Sequence, residues 1–295
     1  MQVISRQHRV LSMCAAHEAH YRAHSGDTLV FETMDCFSNT LEKETDKFSA
    51  VSWDRINPAT GPVYFEEACP GDTLKVEILK IDLAPYGVTA MCPGYGTFAN
   101  QIQKEVTRII RIEDGCALFS DTLRLPVRPM IGVIGTAPAD SLDIPTGTPS
   151  FHGGNMDCKE ICAGTTLYLP VNVAGGMLSM GDVHAVMGDG EVSVCGLEIA
   201  AHVTVRVTVE KGQSLPMPFL TNDTHVMTIY SAKTLDEAAK GAAFAMHRYL
   251  IEQAGMDFHE AMILLSLAGD LRICQIVDPL KTCRMELSKE ILSRI

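Results

Sequence analysis

His202-Val203-Thr204-Val205-Arg206-Val207-Thr208-Val209-Glu210 places a valine at every second position between polar or charged residues. A period of two is the signature of a strand with one face buried and the other wet, since a helix would spread those valines over all its sides. Thr73 to Ile81 (TLKVEILKI), Thr166 to Val173 (TLYLPVNV) and Glu191 to Leu197 (EVSVCGL) are apolar and β-branched in the same way, and Gly, Pro, Asn and Asp punctuate the intervals. From about residue 25 to 220 the chain therefore reads as many short strands joined by turns: a mainly β protein with a β-sandwich or barrel-like core. A turn-plus-strand phrase recurs at Gly26-Asp27-Thr28-Leu29, Gly71-Asp72-Thr73-Leu74 and Gly164-Thr165-Thr166-Leu167, with a weaker echo at Gly212-Gln213-Ser214-Leu215. Spacings of 45 and then 93 residues between the first three are too irregular for a solenoid.

Beyond residue 220 the pattern changes. Thr224 to Tyr230 reads as a strand, and Thr234 with Glu237 three residues on forms a capping box that opens a helix running to about Glu252. Ala238, Ala242, Ala245, Met246, Leu250 and Ile251 give that helix a buried face, and Gly255 ends it. A second helix from Asp257 to about Ala268 and an apolar run from Leu271 to Val277 complete a C-terminal α+β supplement. The expected organisation is a β-rich region 1–220 carrying the functional site, with 221–295 packed on it. No linker rich in Pro, Gly or Ser divides the two, so one compact body is expected.

The 295 residues carry 24 Lys plus Arg against 36 Asp plus Glu, a net charge of −12, and no basic run of five. Nucleic acid and anionic membranes are excluded as partners on that ground, because neutralising phosphate needs clustered cations. Ten cysteines scattered from Cys14 to Cys283 without a CxxC pair read as reduced thiols of a cytoplasmic protein. The N-terminal MQVISRQHRVLSM lacks the apolar core of a signal peptide, and no run of about 18 apolar residues occurs. An apolar share of 46% with few aromatics suits a buried subunit interface, so a homo-oligomer, specifically a dimer, is expected.

Phe151-His152-Gly153-Gly154-Asn155-Met156-Asp157 crowds three polar side chains around two glycines, which allow unusual φ and close approach of backbone N–H groups to a ligand. Taken alone it equally describes a solvated turn. Asp182 and His184, two apart, would point the same way on a strand, a workable spacing for two ligands of one metal, and Asp189 and Glu191 repeat the spacing. GDxH alone is weak, because a strand-end histidine is more often a surface or core residue. Density favours a site: Asp157, Asp182, Asp189, Glu191, Glu198 and two imidazoles fall within 47 residues of an apolar region, where unpaired buried charge is costly. Oxygen donors with one imidazole suit Zn, Mn or Ca. Glu66 and Glu67, after the Asn57-Pro58-Ala59-Thr60-Gly61-Pro62 turn, would face opposite sides of a strand, so at most one serves a site. No GxSxG elbow, Walker loop or GxGxxG fingerprint is present, and no cysteine spacing favours a Cys-Glu-Lys arrangement.

Several phrases together resemble the acetamidase/formamidase family: Asn57-Pro58 with Thr60-Gly61-Pro62-Val63, Pro70-Gly71-Asp72-Thr73-Leu74, Gly132-Val133-Ile134-Gly135, Gly153-Gly154-Asn155-Met156-Asp157, Leu169-Pro170-Val171, Gly181-Asp182-Val183-His184-Ala185 and Gly188-Asp189-Gly190-Glu191. Ala268-Gly269-Asp270-Leu271-Arg272-Ile273 extends the likeness into the tail. The resemblance implies a β-sandwich-based fold, hydrolysis of formamide, acetamide or related and sometimes cyclic amides, and a divalent metal, zinc with calcium as the alternative. It matches the polar positions Asp35, Glu66, Asn155, Asp157, Asp182, His184, Glu191 and Glu198. It departs at Met13-Cys14-Ala15-Ala16-His17, where family members often have a tryptophan; the only one here is Trp53.

On that reading Asp157 and His184 hold the metal with Asp35 or Asp182 assisting, and Glu66 or Glu191 serves as base and then acid. Asn155, His152 and the N–H groups of Gly153 and Gly154 orient the carbonyl or steady the oxyanion. The substrate is a small amide. Two rivals remain: a lactam hydrolase using the same site, and a non-catalytic β protein whose carboxylates hold structural calcium.

Overall fold

The computed structural model describes residues 1–139, 142–212 and 215–295, so the echo at Gln213-Ser214 lies outside the described residues. Two large sheets face each other. The first has nine strands in the order Gln2–Ile4, Thr28–Glu32, Ala201–Glu210, Thr73–Leu83, Thr166–Pro170, Phe219–Thr221, His225–Ala232, Lys281–Ser288 and Asp270–Gln275. The second runs Gly153–Asn155, Met130–Gly135, Leu178–His184, Ala59–Phe65 and Arg9–Val10, with Tyr21–Ala23 pairing in parallel to Ala59–Phe65. A four-stranded sheet, Arg124–Pro126, Cys116–Leu118, Val106–Glu113 and Tyr86–Met91, and a two-stranded ribbon, Asp143–Pro145 with Ser12–Cys14, complete the β structure.

The alternation in HVTVRVTVE does what its period implies. Val203, Val205 and Val207 are fully buried and share one apolar cluster with Leu29, Phe31, Leu74 and Val76 of their own sheet and with Val63, Ile131, Leu178 and Met180 of the facing one. Each such side chain contributes about 1.5–3 kcal/mol of burial energy, so this interlayer contact fixes register as well as stability. The recurring turn glycines also behave as read: Gly26, Gly71 and Gly164 have φ of 93°, 95° and 87° immediately before Thr28–Glu32, Thr73–Leu83 and Thr166–Pro170.

Helix α1, Leu235–Glu252, begins at the Thr234–Glu237 capping box and buries Ala238, Ala242, Met246 and Leu250. Helix α2, Phe258–Ala268, is capped by the Asp257 carboxylate, which accepts from His259 N and Glu260 N. The expected strand at Glu191–Leu197 does not form. Glu191 and Val194 take φ of 46° and 85°, and Val194 N–H donates to Glu191 O at 3.0 Å, so the stretch turns and delivers Glu191 inward. Among the described residues no helix is long and apolar enough to cross a membrane.

Candidate active site

Leu178–His184, buried at every residue, lies between Met130–Gly135 and Ala59–Phe65 and carries both Asp182 and His184. Their two-residue spacing puts both side chains on one face, and His184 Nε2 stands 3.5 Å from Asp182 Oδ1. Asp157 arrives from the turn after Gly153–Asn155, with an oxygen 3.8 Å from the same nitrogen; Glu198, bridged to His184 across the backbone, brings Oε2 to 3.2 Å. The other ring nitrogen, Nδ1, lies 3.3 Å from Met187 Sδ and 4.0 Å from Glu191 Oε1.

Room for this convergence comes from Gly132 on the adjacent strand. A Cβ there would lie 2.5 Å from Asp157 Oδ1 and 2.7 Å from Asp182 Oδ2, so only glycine lets both carboxylates lean into the same space. Asp157, Asp182 and Glu191 also hold left-handed backbones, with φ of 42°, 54° and 46°. Non-glycine residues held in such conformations cost about 1–3 kcal/mol each, and their clustering on three neighbouring acids marks a site for which the fold sacrifices stability.

The side chains are 1–7% exposed, yet Asp157 Oδ1 and Oδ2, Asp182 Oδ1, His184 Nε2 and Glu198 Oε2 have no hydrogen-bond partner. Two buried triplets each bring donor atoms within 4.8 Å of one another: Asp157, His184 and Glu191, and Cys36, Asp182 and Glu198. Burial, then Asp182, pushes Glu198 up to about 8 and Asp157 up to about 6. Burial and the charge of Asp157 hold Glu191 and Asp278 well above the ordinary carboxyl range. Burial disfavours the His184 imidazolium, but Glu198 and Asp182 outweigh it and keep that ring charged well above its usual pKa. Buried, converging oxygens without hydrogen-bond partners, set around one imidazole, fit a divalent ion.

In front of the cluster opens a cavity of about 650 Å³. Asn155, Asp182, Glu191, Glu198 and Asp278 line it together with Asn57, Thr146, Thr148 and Lys281, and Phe37, Phe48, Trp53 and Tyr95 contribute aromatic wall. Asn155 Nδ2 donates to Asp278 Oδ2 at 3.0 Å, while Asn155 Oδ1 is buried without a partner.

The remaining expected residues are placed differently. Glu66 is at the surface in a two-pronged pair with Arg22, at 2.5 and 2.9 Å, and does not line the cavity. Asp35 is buried and pushed to about 6, chiefly by desolvation, but its Oδ1 is engaged by Phe37 N–H and Asn39 N–H in a turn; its neighbour Cys36 is the one whose thiol joins Asp182 and Glu198. Gly153 and Gly154, at φ of 98° and 83°, serve close packing: their Cβ atoms would meet Ile134 O at 2.3 Å and Thr148 O at 2.5 Å. The Gly153 N–H is already given to Ser150 O. His152 is fully buried behind them with both ring nitrogens unpartnered, and desolvation lowers it to about 4. Asp189, the other acid of the GDGE phrase, is taken by Arg284 and Lys159. The sequence reading overlooked Asp278, whose only local signal is a charge followed by proline at the end of an apolar strand, and it gave Glu198 no role.

The model of the Acetamidase/Formamidase family matches residues 15–146 and 143–294. The chain is similar to the crystal structure of an acetamidase from Bacillus halodurans, with a TM-score of 0.97 and 45% identity over 99% of both chains. It is also similar to a predicted acetamidase/formamidase from Thermoanaerobacter tengcongensis, with a TM-score of 0.96 and 41% identity over 99% of this chain and 97% of that one. A putative formamidase of Schizosaccharomyces pombe is 24% identical over 251 residues, which are 63% of this chain and 60% of that protein, so the match spans less than two thirds of that curated relative.

Proposed function

We infer the reaction from a premise: this chain belongs to the acetamidase/formamidase family. The reading is hydrolysis of a primary amide, in which water adds to the carbonyl, the C–N bond breaks, and carboxylate and ammonium leave. The observation that carries it is the unpartnered His184 Nε2 ringed by Asp157, Asp182 and Glu198 at 3.2–3.8 Å beside a polar-lined cavity. These four residues would hold a divalent ion, zinc on the strength of the imidazole, with calcium the alternative. Such an ion lowers the pKa of water and polarises a carbonyl.

The chain's own groups do the rest. The Asn155 Oδ1, free of other partners, accepts a substrate N–H and orients the amide against the cavity lining. Glu191, also in the cavity and displaced upward in pKa, takes a proton from the attacking water and returns it to the departing nitrogen. Glu66, bound to Arg22 at the surface, has no part in this scheme. Regions 1–220 and 221–295 act as one body in this proposal, because the nine-stranded sheet draws on both and Asp278 reaches the cavity from the second. Ten free cysteines support a cytoplasmic location.

Ammonia release from formamide and acetamide, with and without a chelator, tests the reading. Release that stops on chelation and returns with zinc is expected. A chelator that lowers Tm while no amide is ever turned over would leave the calcium scaffold as the better account.

The proposed partner is a second copy. Helix α2 exposes Met262, Ile263 and Leu267, and the sheet's edge strand, which follows it in the chain, exposes Leu271 and Ile273. Antiparallel pairing of two such edges about Leu271 sets Asp270 opposite Arg272 twice, which is the self-complementarity a two-fold contact needs. Light scattering should give a dimer mass for the native chain and a monomer mass for Ile263→Glu/Leu267→Glu; a native monomer refutes the contact.

A further inference from the structure

We propose that the preferred substrates are primary amides with a bulky apolar acyl group, best an aromatic one, selected by Trp53 and Tyr95; this rests on the amide-hydrolysis reading above. Formamide or acetamide, with a handful of non-hydrogen atoms, occupies a corner of the cavity of about 650 Å³. At roughly 30 Å³ per liquid water molecule, the remainder would hold many competing waters. The volume falls in the range of pockets that enclose much larger organic molecules, roughly 300–1,000 Å³.

The walls say what kind of molecule. Phe48 is ringed by Phe37, Trp53 and Tyr95 at centroid distances of 5.5, 5.8 and 5.6 Å, and Trp53 and Tyr95 are 5.3 Å apart. Phe37 and Phe48 are accounted for as core: they are 2% and 8% exposed and pack with Leu41, Val88 and Ala90. Trp53 and Tyr95 are not, being 61% and 36% exposed while lining the cavity. Two large rings left wet beside a site are unspent apolar surface of the kind that stacks on an aromatic ligand. Polarity sets the orientation. The N–H donors of a primary amide find acceptors in Asn155 Oδ1, Glu191 and Asp278, so the NH2 group faces that lining and the acyl substituent projects toward the rings.

The test compares kcat/KM for acetamide, phenylacetamide and acetanilide with the metal-loaded protein. Phenylacetamide should exceed acetamide at least tenfold. Trp53→Ala should lower phenylacetamide turnover tenfold or more and acetamide turnover less than threefold, and Trp53→Phe should restore most of the loss. Trp53 is the only tryptophan, so intrinsic fluorescence reports on the cavity directly. Phenylacetone, which keeps the carbonyl but has no C–N bond to cut, should shift that emission saturably, and acetone should not. Acetamide turned over as well as phenylacetamide, or a Trp53→Ala loss equal on both, overturns the proposal and leaves the amidase reading standing. Preference for acetanilide overturns the orientation. No ammonia from any primary amide removes the amidase reading, and this proposal with it.

Discussion

His184→Ala should yield a protein that binds less than a tenth of the zinc held by the native chain and hydrolyses amides about 10³-fold or more slowly, the scale expected when water activation is lost. The imidazole supplies the nitrogen of the convergence, and its Nε2 lies 3.8, 3.5 and 3.2 Å from carboxylate oxygens of Asp157, Asp182 and Glu198. Without it three carboxylates face each other unscreened. Gly132→Ala approaches the same end by another route, since the added methyl would sit 2.5 Å from Asp157 Oδ1 and must push it aside. Metal content by emission spectroscopy and Tm, read beside activity, separate loss of the ion from loss of fold. Full zinc occupancy and full turnover in His184→Ala would refute the assignment.

The same cluster dictates how the metal-stripped protein responds to pH. Glu198 and Asp157 bind protons more tightly folded than unfolded, at about 8 against an ordinary 4.5 and about 6 against 3.8. Their protonated forms are the ones that suit burial. Stability is therefore fully present below the unfolded values and declines as pH rises from about 4 towards 8. A bound cation favours the ionised forms instead and should flatten that decline. Tm measured across this range with and without zinc checks the sign.

How much of this was legible depended on whether a residue's neighbours in sequence are its neighbours in space. HVTVRVTVE declared its strand because alternation records which face is buried, and Thr234 with Glu237 declared a helix start because a cap is a local bond. Asp182 and His184 were readable as a pair for the same reason. EVSVCGL alternates as well, yet Glu191 and Val194 occupy left-handed backbone, a cost borne for the site that no pattern of polarity encodes. Glu66 illustrates the converse. Arg22, on a strand laid parallel to Ala59–Phe65, takes its carboxylate at the surface, and a residue 44 positions away leaves no mark near Glu66 in the sequence. Asp278 reaches Asn155 across 123 residues and was invisible until the chain was folded.

Glu191→Gln should lower kcat by about 10²–10⁴-fold, the usual contribution of a positioned acid–base group, while zinc content and KM for acetamide stay close to native. Glutamine keeps the shape and a hydrogen-bonding oxygen at the end of the Gly190–Glu191 turn, so the buried backbone at φ 46° need not move; only the capacity to accept and return a proton is gone. That capacity depends on the carboxylate form. Burial and the charges of Asp157 and Asp278 displace its pKa upward in the metal-free protein, and a cation on Asp157 opposes that displacement. Native activity should therefore fall on the acid side, as pH drops through the pKa that Glu191 has in the loaded enzyme. In the glutamine variant this limb of the pH–rate profile should vanish and the residual rate should lie flat across it. A variant that loses its zinc with its activity would instead make Glu191 a ligand, consistent with its place in the triplet with Asp157 and His184, and would move the proton-handling role to Asp278, the other carboxyl lining the cavity with a strongly raised pKa and no place in either triplet.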